Sequence, residues 1–193
     1  MIIMKKKSLM SVFLLLVLGT GLLKSQTGAN GVIDVIMKGY EPKMMTEKVV
    51  TANETEIILN CGLRAPSARN RQLWKFTVVK DKALIEDFIP NFTPGNILII
   101  ISGQEDPPAG SNVDIDCSLA TAFMLVAAQG LGLAGHIYTG PVSSVNEKGK
   151  TILGVPDGYK AITLLRVGNF DNSIDAVSAA STRKGMDEVV IYR

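Results

Sequence analysis

From Cys117 to Ala128 the chain is apolar, broken only by Ser118 and Thr121. The stretch Asp116 to Gln129 reads as the longest helix of the mature domain. Its apolar residues fall on nearly every side, so no polar stripe is left to face water. Such a helix must be surrounded by protein. The chain has 193 residues, enough for one domain with a sizeable core. In a domain this small, a partner subunit is one way to cover the remaining side.

The other segments build a sheet around that helix. Ile97-Leu98-Ile99-Ile100-Ile101, within a predicted strand from Asn96 to Ser102, is a continuous apolar run suited to burial on both faces. Trp74 to Val79, Ala134 to Tyr138 and Ala161 to Gly168 read as further strands. Thr51-Ala52-Asn53-Glu54 is a capping box that opens a helix running toward Ala65-Pro66-Ser67. Short helices are expected at Val32 to Met37, Asp81 to Phe88 and Lys148 to Leu153. Val189 to Tyr192 reads as an edge strand. Interleaved helices and strands make the class α/β or α+β with a central sheet.

The first residues follow different rules. Lys5-Lys6-Lys7 precede an apolar run from Leu9 to Leu23, which is short for a membrane span and suits a signal-peptide core. Residues 1–30 therefore read as a secretory signal, and the domain as 31–193. The expected location is outside the cytoplasm, periplasmic, with an N-terminal membrane anchor as the alternative. Formal net charge is +2, but Lys5, Lys6, Lys7 and Lys24 carry it, and the remainder is mildly acidic. A basic nucleic-acid-binding face gets no support.

Several chemistries are disfavoured. Among the residues there is one histidine, His136, no CxxC, and no metal-ligand cluster. His136 lies on an apolar strand, where a packed or hydrogen-bonded role outweighs a catalytic one. Cys61 and Cys117 sit in apolar helical patterns and are expected as two buried thiols rather than a disulfide. Gly130-Leu131-Gly132 ends a helix instead of opening one, so it is no dinucleotide fingerprint. Ser143 and Ser144 lack a histidine partner for triad chemistry.

The most informative stretch is Ala65-Pro66-Ser67-Ala68-Arg69-Asn70-Arg71-Gln72-Leu73-Trp74-Lys75-Phe76. Ser67, Asn70 and Gln72 supply hydroxyl and amide groups that match ring carbonyls and nitrogens without adding charge. The plainer alternative is that they only satisfy loop backbone. The stretch resembles the signature of the nitroreductase family, Ala-Pro-Ser-x-x-Asn-x-Gln-Pro-Trp-x-Phe, departing at Leu73. Asp116 to Gly132 is similar to that family's central dimer helix. Leu153-Gly154-Val155-Pro156-Asp157-Gly158-Tyr159 and Arg183-Lys184-Gly185-Met186-Asp187-Glu188-Val189-Val190 are similar to two later segments.

The resemblance implies an α+β, three-layer α/β/α fold with a mainly antiparallel sheet flanked by helices. It implies a homodimer with FMN between subunits. Position by position, Pro66, Ser67, Ala68 and Asn70 would lie against the flavin. Thr139 and Gly140 would meet its reactive edge, and Arg183 would pair with its phosphate. The family's Arg-Arg-Ser-x-Arg clamp falls on Gly39-Tyr40-Glu41-Pro42-Lys43, where only Lys43 keeps a positive charge; Lys38 would serve if the alignment slips by one residue. No catalytic side chain is required. The implied activity moves a hydride or electrons from reduced FMN to a nitroaromatic, quinone or similar flat acceptor. NADH or NADPH is the family's usual donor, and export leaves the donor open. The altered clamp keeps a second reading in play, a non-redox flavin- or ligand-binding protein on the same scaffold.

Overall fold

The computed structural model describes residues 26–173 and 178–193. The signal-peptide expectation falls mostly on residues 1–25, outside the described residues. The first described helix, α1 (Gln26–Lys38), begins ahead of the expected domain start at Gly31. Then follow α2 (Ala52–Leu63), β1 (Trp74–Val79), α3 (Lys82–Ile85), β2 (Ile97–Gln104), α4 (Val113–Gly130) and β3 (Ala134–Tyr138). A helical stretch comes next: α5 (Val142–Ser144), a π-helical turn at Val145–Gly149, and α6 (Lys150–Leu153). The chain closes with β4 (Tyr159–Gly168) and α7 (Met186–Val189).

The strands form one antiparallel sheet in the order β1-β2-β4-β3. β2 lies inside it, and Ile97 to Ile101 are at most 1% exposed. Their alternation builds the layers. Ile97, Ile99 and Ile101 pack with α2 and α4 in one core, which includes Ile58, Cys117 and Met124. Leu98 and Ile100 point the other way, into a core with Ile85, Phe88, Val145 and Leu153. The result is the expected α+β architecture, with helices on both faces of an antiparallel sheet.

α2 starts where its capping box predicts. Thr51 Oγ1 accepts the Glu54 N–H (3.2 Å), and the Glu54 carboxylate accepts the Thr51 N–H (2.8 Å). The Thr51 N–H, and after it the Thr51 hydroxyl donating at 2.8 Å, hold the Glu54 carboxyl below its ordinary range. α2 packs closely on α4 at Gly62, where a Cβ would overlap the Met124 side chain. The helix ends at Leu63, before the expected Pro66, because proline disfavours helical backbone at Ala65 and has no N–H to continue the helix; by Ser67 the chain is extended.

α4 is longer than expected, because Asn112 caps it by accepting the Ile115 N–H on Oδ1. Its inner face is buried in the first core. Its outer face is apolar and open in the single chain: Ile115, Leu119 and Phe123 are 54%, 36% and 42% exposed. The expected edge strand at Val189 to Tyr192 is not formed. Met186–Val189 closes a helical turn, and Ile191 and Tyr192 remain exposed. Both cysteines are free thiols, as expected. Only Cys117 is fully buried; Cys61 is partly exposed.

Candidate functional site

The segment joining α2 to β1 has an unusual backbone. Ala68–Asn70 forms a 3-10 turn, and Arg69, Asn70 and Gln72 have φ of 55°, 54° and 51°. Side chains disfavour this left-handed region, at a cost of about 1–3 kcal/mol per residue, and such residues concentrate at functional sites. Ser67 organises the turn. Its carbonyl accepts the Asn70 N–H (2.9 Å), and its Oγ accepts the Gln72 N–H (3.1 Å). Gln72 Nε2 in turn donates to Asn70 Oδ1 (3.1 Å). The Ser67 hydroxyl hydrogen and the Asn70 Nδ2 hydrogens make no hydrogen bond among the described residues.

A side chain from outside the loop fixes it. The Asp116 carboxylate, buried near the start of α4, accepts the Ala68 N–H on both oxygens at 3.0 and 3.1 Å. Sequence reading treated Asp116 only as a helix start. An acid heading an otherwise buried helix face needs a donor, and that was the available signal.

A second group of expected residues gathers elsewhere, around β3. Glu41 donates its N–H to Ser181 Oγ (2.8 Å), and its carbonyl accepts the Ser178 N–H (2.9 Å). The chain on either side of Glu41 therefore lies against the tail that carries Arg183. Lys43 and Arg183 are both exposed, and Arg183 Nη1 folds back onto the carbonyls of Ala180 (2.7 Å) and Thr182 (3.1 Å). Lys38 does not join them; it faces Asp34 on α1 at 3.4 Å.

The acid at position 41 is occupied. The Glu41 carboxylate contacts His136 Nδ1 on β3, so the packed, hydrogen-bonded reading of His136 holds. Burial, and after it the Arg166 guanidinium, push the imidazole below its ordinary value. Arg166 sits opposite His136 in the β3–β4 register and is held by Asn96 Oδ1 (2.9 Å) and Thr93 Oγ1 (2.7 Å). Thr139 and Gly140 follow β3 directly and are exposed.

The two groups lie toward the same end of the sheet but at opposite edges. Pro66 to Asn70 lead into β1, whereas Thr139 and Gly140 leave β3, with β2 and β4 between. Three strand spacings separate them, roughly 14 Å. One chain does not bring them together. A cleft of about 260 Å³ between α1 and the end of α4 takes in Gly39 and Tyr40 of the expected clamp segment and the alternative Lys38, beside Gln129, Leu133 and Phe170, but none of Pro66–Asn70, Thr139, Gly140, Lys43 or Arg183.

Known proteins share this arrangement of elements. Residues 43–99 match the Nitroreductase family. A curated relative from Archaeoglobus fulgidus, named as an NADH dehydrogenase/NAD(P)H nitroreductase, is 29% identical over 136 residues, covering 65% of this chain and 78% of the relative. A nitroreductase with bound FMN from Bacteroides fragilis superposes with a TM-score of 0.63 at 20% identity, covering 80% of this chain and 98% of that one. An FMN-dependent nitroreductase from Clostridium difficile gives 0.67 at 19% identity, with 83% and 99% covered. The matched segment spans the loop with the left-handed residues, and over it the chain is similar to the nitroreductase family and shares the fold of these solved structures.

Proposed function

We propose that the protein is an FMN-dependent oxidoreductase, acting as a homodimer on nitroaromatics, quinones or similar flat acceptors. The observation that carries this is the Ser67–Gln72 loop: a strained turn, fixed by Asp116, inside the segment that matches the family.

The residues suit the cofactor. Pro66 offers an apolar edge, and Ser67 and Asn70 offer uncharged donors with hydrogens to spare, which fit a flavin ring without adding charge. The phosphate needs cations, and Lys43 and Arg183 lie on adjacent segments. The contact with His136 holds the Glu41 carboxylate, whose charge would oppose a phosphate there. Bound FMN would supply the redox chemistry, taking a hydride or electrons from a donor and passing them to the acceptor. The protein's part is to bind, orient and shield the ring, with Thr139 and Gly140 at its edge.

Two features support the homodimer. The loop group and the Thr139–Arg183 group stand at opposite sheet edges, so a second chain would complete the site. The exposed stripe of Ile115, Leu119 and Phe123 on α4 is the surface for it. Residues 1–30 fit export to the periplasm, or an N-terminal anchor, and there NADH and NADPH are not the expected donors.

FMN titrated into flavin-free protein, followed by absorbance and fluorescence, tests the cofactor. Stoichiometric binding with donor-dependent reduction of a quinone or nitroaromatic supports the reading, and a colourless protein that takes up no FMN refutes it. The acid at position 41 favours one competing reading, a flavin- or ligand-binding protein without turnover. Tight FMN binding with no acceptor reduction from any donor, dithionite included, would select that one.

A further inference from the structure

Arg71 lies inside the cofactor loop, but its side chain reaches away from it, to the segment joining β2 to α4. Arg71 Nη1 donates to the carbonyls of Pro108 (3.2 Å) and Ala109 (3.0 Å) and to Ser111 Oγ (2.6 Å). The same segment turns at Gly110, with φ +76°, directly under the Arg69 guanidinium; a Cβ there would stand 3.2 Å from Arg69 Nη2. The segment is itself anchored where it leaves β2. The Glu105 N–H donates to the Gly158 carbonyl (2.9 Å), and the Glu105 carboxylate takes Lys150 Nζ at 2.6 Å.

The loop is thus gripped at two points. Asp116 holds the Ala68 N–H, and the Pro108–Ser111 turn, just ahead of Asp116 in the chain, holds Arg71. Between these holds lie Arg69 and Asn70, with Gln72 just past Arg71, all three left-handed. A strained backbone persists only where its surroundings over-determine it. Inside the turn, the Asn70 and Arg71 N–H groups donate to the Ser67 and Ala68 carbonyls, and Gln72 bonds Ser67 and Asn70; none of these ties the turn to the rest of the fold.

We propose that Arg71 is a positioning residue for the cofactor loop: its grip on Pro108, Ala109 and Ser111 holds Ser67 and Asn70 in the conformation that meets the ligand's ring. The role rests on the reading of this loop as a flavin site. Arg71 does not touch the ligand and acts through the backbone of its own turn.

The geometry selects the test. One nitrogen serves three acceptors, and a lysine ammonium carries three donors on one atom. Arg71→Lys can therefore keep the grip, whereas Arg71→Met keeps the aliphatic packing and loses it. FMN is titrated into the full chain and both variants by flavin fluorescence. Hydrogen exchange at the Ala68–Gln72 amides is measured in the flavin-free proteins, beside thermal melts. The expected result is an FMN affinity about tenfold weaker in Arg71→Met, with faster exchange at Ala68–Gln72 and a nearly unchanged melting midpoint, and recovery of most of the affinity in Arg71→Lys. Equal affinity in all three proteins, or a lysine variant as impaired as the methionine one, overturns the proposal. If the wild-type chain binds no FMN, the flavin reading falls by itself. The exchange data then decide the grip: unchanged rates overturn it, faster rates uphold it. Should Arg71→Met fail to fold, Ser111→Ala removes one acceptor and is expected to show the same changes in milder form; wild-type affinity and exchange in it overturn the proposal.

Discussion

Asp116 accepts the backbone N–H of Ala68 through both carboxylate oxygens, at 3.0 and 3.1 Å, across 48 residues of chain. The bond joins the helix with the open apolar face to the loop proposed to face the flavin. Removing its acceptor leaves a part-buried N–H unpaired, at a cost of about 1 kcal/mol, the low end for an unsatisfied donor. Asp116→Ala is therefore expected to lower the melting midpoint by several degrees and to weaken FMN binding, while Asp116→Asn, which keeps one acceptor oxygen, does so less. Denaturation curves and flavin titrations on the pair give the order; equal behaviour of Ala, Asn and wild type would show that the bond does not hold the loop.

The cations near Glu41 recognise phosphate on this reading, so they should separate two flavins. Arg183→Ala is expected to weaken FMN by about ten- to a hundredfold, the worth of a lost charge-assisted contact. Riboflavin, which has no phosphate, should bind the variant and the wild type alike. Lys43→Ala should act in the same direction. Parallel titrations with the two flavins check this, and an equal loss for both would place Arg183 away from the phosphate.

The α4 stripe is the surface proposed for the dimer. Leu119→Asp with Phe123→Asp puts two carboxylates on the face proposed to meet its twin. Light scattering after size exclusion is expected to read a dimer for wild type and a monomer for the variant, with flavin binding lost in the monomer. A monomeric wild type that binds flavin fully would contradict a shared site.

Cys117 offers a pH test. Burial, then the charges of Asp114 and Asp116, push its thiol from an ordinary value near 9 up to about 12. The folded state thus holds this proton more tightly than the unfolded chain. The stabilisation is complete below pH 9 and is lost as pH rises toward 12. Melting midpoints should fall more between pH 8 and 10.5 in wild type than in Cys117→Ala. At pH 8 iodoacetamide should modify Cys61 well before Cys117, which mass spectrometry of peptides would show.

Much of the architecture was legible because it is local. A run of aromatic and β-branched residues marked Trp74–Val79 to the residue, Ala134–Tyr138 likewise lies where its sequence places a strand, and the Thr51–Glu54 pair marked the start of α2. The tail failed for the converse reason. Val189 to Tyr192 has a strand's composition, yet within one chain no strand edge receives it, and a turn of helix forms first. In the site, the Pro66–Asn70 loop could be located from its residue types and its family signature. Its supports could not, because Asp116 to Ala68, Arg71 to Pro108 and Glu41 to His136 join residues far apart in sequence. Nothing in the residues around Glu41 discloses that its carboxylate is taken by a strand almost a hundred positions later.

The placement of Ser67 and Arg183 at opposite sheet edges makes the pair a matter of genetics as well as geometry. On a shared site, a chain damaged at Ser67 and a chain damaged at Arg183 are each inactive alone, yet a hybrid of the two holds one undamaged pocket and one doubly damaged one. Mixing equal amounts of the two cripples, unfolded and refolded together, should restore about a quarter of wild-type activity. Two defective copies would then rescue one another, and neither could be rescued by more of itself.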